Sequence, residues 1–270
     1  MEQLGLAGMP ERLFSCTPSR LTTWLDCPRR YRMTYVDRPA PPKGPAWAHN
    51  TVGAAVHLAL ARWWDLPLPR RTGDAARALL HQVWQTDGFR NDVQADRHRA
   101  LAGDMVARYA EELDPEDEPR GVERTVGFPT GRLAVSGRVD RVDERDGEVV
   151  VVDYKTGRAE LTEDDARGSL ALALYARACA RTFRMPCTKV ELHHLPTGRV
   201  LAWEHTEESL DRHVGRAEAI AAEASAAATT GDYPARPGSM CGWCDYVRQC
   251  PEGLAASGGP REPWAGLPQD

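Results

Sequence analysis

The stretch GRVDRVDERDGEVVVVDYKTG, residues 137–157, decides the fold. Asp146-Gly147 between two β-rich runs reads as a two-residue type I′ turn, because both central positions of that turn need positive φ. Pairing Arg145 with Glu148 and continuing outward sets Asp140 opposite Asp153. Lys155 follows two residues later on the same face. Directly opposed Cβ atoms lie about 5 Å apart, and like charges in that position are destabilising. A divalent cation between the two carboxylates removes the conflict, and hard oxygen donors suit Mg²⁺ or Mn²⁺. The ordinary alternative is a solvated sheet edge, or ion pairs with Arg138 and Arg141. Against it stands the unbroken run VVVV at 149–152, which indicates a central strand buried on both faces. A carboxylate at the end of such a strand is costly unless coordinated.

Outward from this hairpin the period of the pattern changes. Period-two segments at 122–128, 132–142, 148–154, 189–194 and 199–203 predict strands. Helical spacing predicts helices over 19–25, 51–64, 74–85, 96–112, 163–181 and 207–229, with Ser19 as a cap and Pro28 opening a further turn. The order of helices, three strands, helix, two strands, helix predicts an α/β fold. Its mixed central sheet is flanked by helices, and it is not a Rossmann repeat. Residues 37–50, with four prolines, read as a loop. Residues 1–18 read as an N-terminal extension, 19–251 as one domain, and 252–270 as a tail without a core.

The chain has 270 residues, 42% hydrophobic and 27% charged, which fits one large domain or two small ones. No apolar run approaches the roughly 18 residues of a membrane span. The start, MEQLGLAGMPERLF, lacks a basic segment and a long apolar core, so no secretory signal and a cytoplasmic location are expected. Seven cysteines in such a setting are not expected to form a disulfide framework. A net charge of −5 argues against a nonspecific DNA coat but permits a local basic groove. Of 34 basic residues only Lys43, Lys155 and Lys189 are lysines, so Lys155 stands out beside the two aspartates.

Cys241, Cys244 and Cys250 form C-x2-C-x5-C, and Cys27 lies far upstream in LDCPRRY. Together they offer a four-thiolate site joining the two ends of the chain. Zn²⁺ and an iron–sulfur cluster both accept such a set, and the spacing does not choose between them. Cys16, Cys179 and Cys187 are left over. Cys179 reads as plain core, and Cys16 as a less telling substitute for Cys27.

Taken together, SRLTTWLDCPRRY (19–31), GAAVH (53–57), GRVDRVD (137–143), VVVDYKTG (150–157) and CGWCDYVRQC (241–250) resemble the RecB-like branch of the PD-(D/E)xK nuclease superfamily. The nearest likeness is to the AddB-type iron–sulfur nucleases and the small CRISPR-adaptation exonucleases. The resemblance implies that Asp140, Asp153 and the carbonyl of Tyr154 hold Mg²⁺ or Mn²⁺. It implies that His57 ligates or orients the metal, and that Lys155 orients the attacking water. Read alone, His57 is a hydrogen-bonded core histidine. The resemblance also selects a 4Fe–4S cluster at Cys27, Cys241, Cys244 and Cys250, with zinc as the alternative. Two departures stand out. The family's Q-x-x-x-Y keeps Tyr175, a DNA-contact position, but has Ala171 in place of glutamine. Val139 replaces the proline of the first acidic motif.

Glu123 reads either as a surface strand residue or as a carboxylate supporting the metal ligands. Arg29, Arg30 and Arg32 read either as a phosphate path or as solvated charge. Trp24, Tyr31 and Trp243 read either as base-stacking platforms or as packing around the cluster. The expected function is a metal-dependent deoxyribonuclease, an exonuclease on single-stranded DNA or ends in DNA repair or recombination. One alternative is a non-catalytic iron–sulfur DNA-binding module beside a helicase partner. Another is an electron-transfer protein.

Overall fold

The valine run 149–152 forms the middle of a six-stranded mixed sheet in the computed structural model, which describes residues 13–268. The strands are β1 (Phe14–Cys16), β2 (Gly121–Pro129), β3 (Leu133–Arg145), β4 (Glu148–Lys155), β5 (Lys189–His194) and β6 (Arg199–Glu204). β4 is antiparallel to β3 on one side and parallel to β5 on the other. β6 closes that end antiparallel to β5. β3 is the longest strand: β2 covers one of its edges, while β1, running parallel, and β4 share the other. Val149, Val150, Val151 and Val152 are each at most 2% exposed, as the unbroken run predicts.

Helices cover both faces. Near the start lie α1 (Pro18–Asp26) and α2 (Pro28–Tyr31), which runs on into a π-helical turn at Arg32–Val36. On one face, α3 (Ala48–Trp64), α4 (Gly73–Val83) and α5 (Asp92–Glu112) pack Val56, Leu60, Trp63, Leu80 and Val106 against Val150 and Val152. On the other, α6 (Glu163–Gly168), α7 (Leu170–Phe183) and α8 (Glu207–Thr230) set Leu172, Ala176 and Leu210 against Val149 and Val151. Side chains at the N-cap accept a backbone N–H at the start of α1, α4, α5, α7 and α8, from Thr17, Thr72, Asn91, Ser169 and Thr206.

The structure corrects the sequence reading at several points. Thr17, not Ser19, caps α1. The single helix expected over 163–181 is two, because Ser169 leaves the helix and caps α7. The expected N-terminal extension enters the fold, since Phe14–Cys16 pairs with Leu133–Val135; residues 1–12 lie outside the described residues. The expected tail also has structure. α9 (Pro251–Ser257) is followed by a segment that reaches back to the start of α3, where Pro263 O accepts from Ala48 N at 3.0 Å and Leu267 is buried. The structure has no helix long and apolar enough to cross a membrane among the described residues.

On the α3–α5 side, a polar network fixes β3 to β5. Glu191 takes Arg145 at 2.7 Å and His193 at 2.9 Å, and His193 Nδ1 meets the Tyr109 hydroxyl at 2.7 Å. Burial alone would raise the Glu191 pKa, but the hydrogen bonds from His193 and Arg145 override it and bring it to about 2. A carboxylate with a depressed folded-state pKa stabilises above its unfolded value and loses that contribution as pH falls toward the folded one. Glu191 therefore contributes to an acid-labile term between about pH 4.5 and 2. Glu191→Gln is expected to lower stability at pH 7 and to flatten its pH dependence in that window, measured by chemical denaturation. An unchanged acid profile would contradict this.

Candidate active site

The hairpin forms as its sequence directs. Asp146 has φ +52° and Gly147 φ +80°, both positive as a type I′ turn requires. Pairing runs from Arg145–Glu148 to Arg141–Val152. Beyond that pair the ladder stops, and Asp140 Oδ2 accepts the Tyr154 backbone N–H at 2.8 Å. The side chain thus replaces a ladder bond at the point where the carboxylates stand. Asp153 Oδ2 lies 2.5 Å from Lys155 Nζ, yet this buried oxygen has no aligned hydrogen-bond donor. Burial raises the Asp153 pKa, Lys155 opposes this, and the neighbouring Asp140 adds to the rise.

His57 arrives from α3, with Nδ1 3.1 Å from Asp140 Oδ1. Burial opposes its protonation, but the bond to Asp140 and the charges of Asp140, Asp153 and Glu123 raise its pKa overall. The negative field that favours a proton on His57 equally favours a metal cation. Gly53, one turn earlier, explains the G-x-x-x-H spacing. A Cβ there would meet Thr156 Oγ1 at 3.3 Å, so the glycine lets α3 close against the strand that carries Lys155. In the β2–β3 register Glu123 falls opposite Asp140, between the pairs Val122–Arg141 and Arg124–Val139. It contacts Arg138 at 2.7 Å. Burial raises its pKa, against the pull of Arg138. Among the described residues, His57, Glu123 and Asp140 form a group whose donor atoms lie within 4.8 Å of one another.

Tyr175 on α7 borders this site: the charges of Asp153 and Asp140 add to the burial that pushes its hydroxyl up to about 12. Gly137 on β3 gives it room. A Cβ at Gly137 would meet the ring at 2.6 Å and the hydroxyl oxygen at 3.0 Å. The sequence reading missed this seat, although Gly137 opens the acidic motif.

The cysteines meet elsewhere. Cys27, Cys241, Cys244 and Cys250 line one cavity of about 370 Å³, with Arg29 and Arg30 at its wall. Each sulfur accepts a backbone N–H: from Arg236 to Cys27 (3.4 Å), Gly238 to Cys241 (3.3 Å), Gly253 to Cys250 (3.4 Å), and Tyr246 to Cys244. Cys16, Cys179 and Cys187 are buried in the core instead.

The three arginines expected on a phosphate path are each partly exposed and each has a nearby partner. Arg29 binds the Tyr233 carbonyl and Glu252, Arg30 pairs with Asp26, and Arg32 pairs with Asp37. Trp24 and Tyr31 are core residues that pack edge to face, so neither offers an open face for a base. Trp243 packs against Trp47 and His49, with Arg261 over its ring.

The sequence pattern of the PD-(D/E)XK nuclease superfamily matches residues 15–251. A CRISPR-associated exonuclease Cas4/endonuclease Cas1 fusion from Leptospira interrogans serogroup Icterohaemorrhagiae serovar Lai (strain 56601) is 37% identical over 51 residues. That match spans 19% of this chain and 9% of the fusion protein. The crystal structure of SSO0001 superposes with a TM-score of 0.40 at 15% identity, over 90% of this chain and 89% of that one, too low a score to bear on the fold.

Gly137→Ala is expected to cost about 1–3 kcal/mol through collision with the Tyr175 ring. Gly137→Ala combined with Tyr175→Ala is expected to cost less than the sum of the two single changes, read by denaturant melts. Strict additivity would show that the ring is not seated there.

Proposed function

The chain belongs to the PD-(D/E)XK nuclease superfamily, and from that premise we propose that it is a Mg²⁺- or Mn²⁺-dependent deoxyribonuclease whose centre is Asp140, Asp153, Lys155 and His57. The observation that carries the reading is the hairpin end, where Asp140 meets His57 and the Tyr154 backbone N–H, Glu123 shares a donor group with them, and the neighbouring Asp153 carboxylate is paired with Lys155. Such a donor set fits a hard divalent cation, which usually takes one or two carboxylates and keeps several waters. Asp140, Asp153, the Tyr154 carbonyl and His57 would hold it. When bound, the ion would acidify a coordinated water and offset charge on the phosphate.

The chain's own residues do the rest. The Tyr154 N–H fixes one oxygen of Asp140 and leaves the other facing His57. Lys155, anchored by Asp153, would orient the attacking water and donate to a non-bridging phosphate oxygen. The water oxygen bonds to phosphorus as the phosphodiester P–O bond opposite it breaks. Preorganised donors of this kind act where charge develops in the transition state. Tyr175 would border the bound strand.

The four cysteines would hold a 4Fe–4S cluster acting as a staple. Four N–H···S contacts stabilise thiolates, and hydrogen bonds to the sulfurs are a feature of iron–sulfur sites. Zinc is the alternative occupant of the same four thiolates. The staple also bears on catalysis, because Trp47 at the start of α3 donates through Nε1 to Asp245 at 2.9 Å, next to Cys244. The RecB-like resemblance and the exonuclease activity named for the Leptospira relative support action on single-stranded DNA or ends, in repair or recombination beside a helicase.

Anaerobically purified protein is expected to contain iron, to show a broad visible absorbance, and to degrade end-labelled single-stranded DNA with Mn²⁺ or Mg²⁺. Chelation with EDTA abolishes the activity. Asp153→Ala and Lys155→Ala reduce it by about 10²-fold or more. Full activity in both variants, or none in the iron-loaded wild type, would overturn the reading.

A further inference from the structure

Glu123 has a left-handed backbone, φ +48°, in the middle of a strand. Long side chains occupy that region rarely and at a cost, and such residues gather at functional sites. The conformation has a visible consequence. Val122 packs with the α3–α5 core and Val126 with the α7 core, although an even spacing along a strand keeps residues on one face. The alternation therefore switches at Glu123. The β2–β3 register brings Glu123 level with Asp140, between the pairs Val122–Arg141 and Arg124–Val139.

We infer that Glu123 is a direct metal ligand of the nuclease centre, making with Asp140 and His57 a three-donor face. The inference rests on the metal-dependent reading above and adds a residue to it. Metal–oxygen bonds near 2.1 Å place neighbouring octahedral donors about 3.0 Å apart and opposite ones about 4.2 Å apart. His57 Nδ1 and Asp140 Oδ1 already stand 3.1 Å apart, close to the separation of neighbouring donors, and Glu123 offers a carboxylate oxygen in the group whose donor atoms lie within 4.8 Å of one another. The only counter-ion paired with Glu123 among the described residues, Arg138, has a side chain 68% exposed. An exposed pair is weak and readily exchanged. With Glu123 turned to a bound metal, the Arg138 guanidinium would be available to a substrate phosphate.

The test uses the full chain and Mn²⁺ alone. Binding is followed by electron paramagnetic resonance, beside melting temperature, in wild type, Glu123→Gln, Glu123→Gly and Asp153→Asn. Glycine suits φ +48°, so Glu123→Gly is expected to melt no lower than wild type. Both Glu123 variants are expected to bind Mn²⁺ about tenfold or more weakly. A Mn²⁺-soaked crystal is expected to place the ion within about 2.3 Å of a Glu123 carboxylate oxygen. Unchanged affinity in both Glu123 variants while Asp153→Asn loses it, or affinity that falls only in step with melting temperature, overturns Glu123 as a ligand and leaves the nuclease reading standing. Wild-type protein that binds no Mn²⁺ overturns both.

Discussion

Repulsion between carboxylates held close together at the edge of a buried sheet is the constraint around which this molecule is arranged. Asp153 lies near the end of β4, after four residues almost wholly excluded from water, and the charge of Asp140 on the neighbouring strand acts on it. Neither can retreat. The type I′ turn fixes the register, and a slip by one residue would turn every valine of β4 to the wrong face. The protein offsets part of the charge with Lys155, with the Tyr154 N–H and with His57. Even with Lys155 beside it, burial and the neighbouring Asp140 keep the Asp153 pKa raised, so negative charge at this point is still disfavoured.

The surrounding elements serve that arrangement at short range. Gly53 lets α3 approach Thr156 closely enough for His57 to reach Asp140, and Gly137 seats Tyr175 beside the same carboxylates. The cysteine region reaches the site through α3, because the cysteine loop grips Trp47 and the segment after α9 hydrogen-bonds Ala48. The thiolate end and His57 thus share one helix, with His57 about two and a half turns beyond Ala48.

Much of this was legible in the sequence for identifiable reasons. A hairpin turn is a local signal, so Asp146-Gly147 gave the register without tertiary knowledge. The valine run gave the buried central strand in the same way. The C-x2-C-x5-C spacing pointed to one cavity because three of its four sulfurs come from a short segment. What escaped was non-local. Nothing near Phe14 announces that it will pair with Leu133, and the caps at Thr17 and Ser169 won over neighbouring polar residues through contacts visible only in the fold. Glu123 was hardest to read, since a left-handed residue inside a β-rich stretch leaves no compositional trace.

Binding of a divalent ion should relieve the electrostatic burden of the carboxylate pair. Melting temperature with and without Mn²⁺ measures this directly in wild type, Asp140→Asn and Asp153→Asn. Neutralising either aspartate is predicted to raise the metal-free melting temperature, because it removes repulsion, and to abolish the rise that Mn²⁺ causes in wild type. Aspartate variants that melt lower than wild type without metal, together with a wild type indifferent to Mn²⁺, would contradict the account.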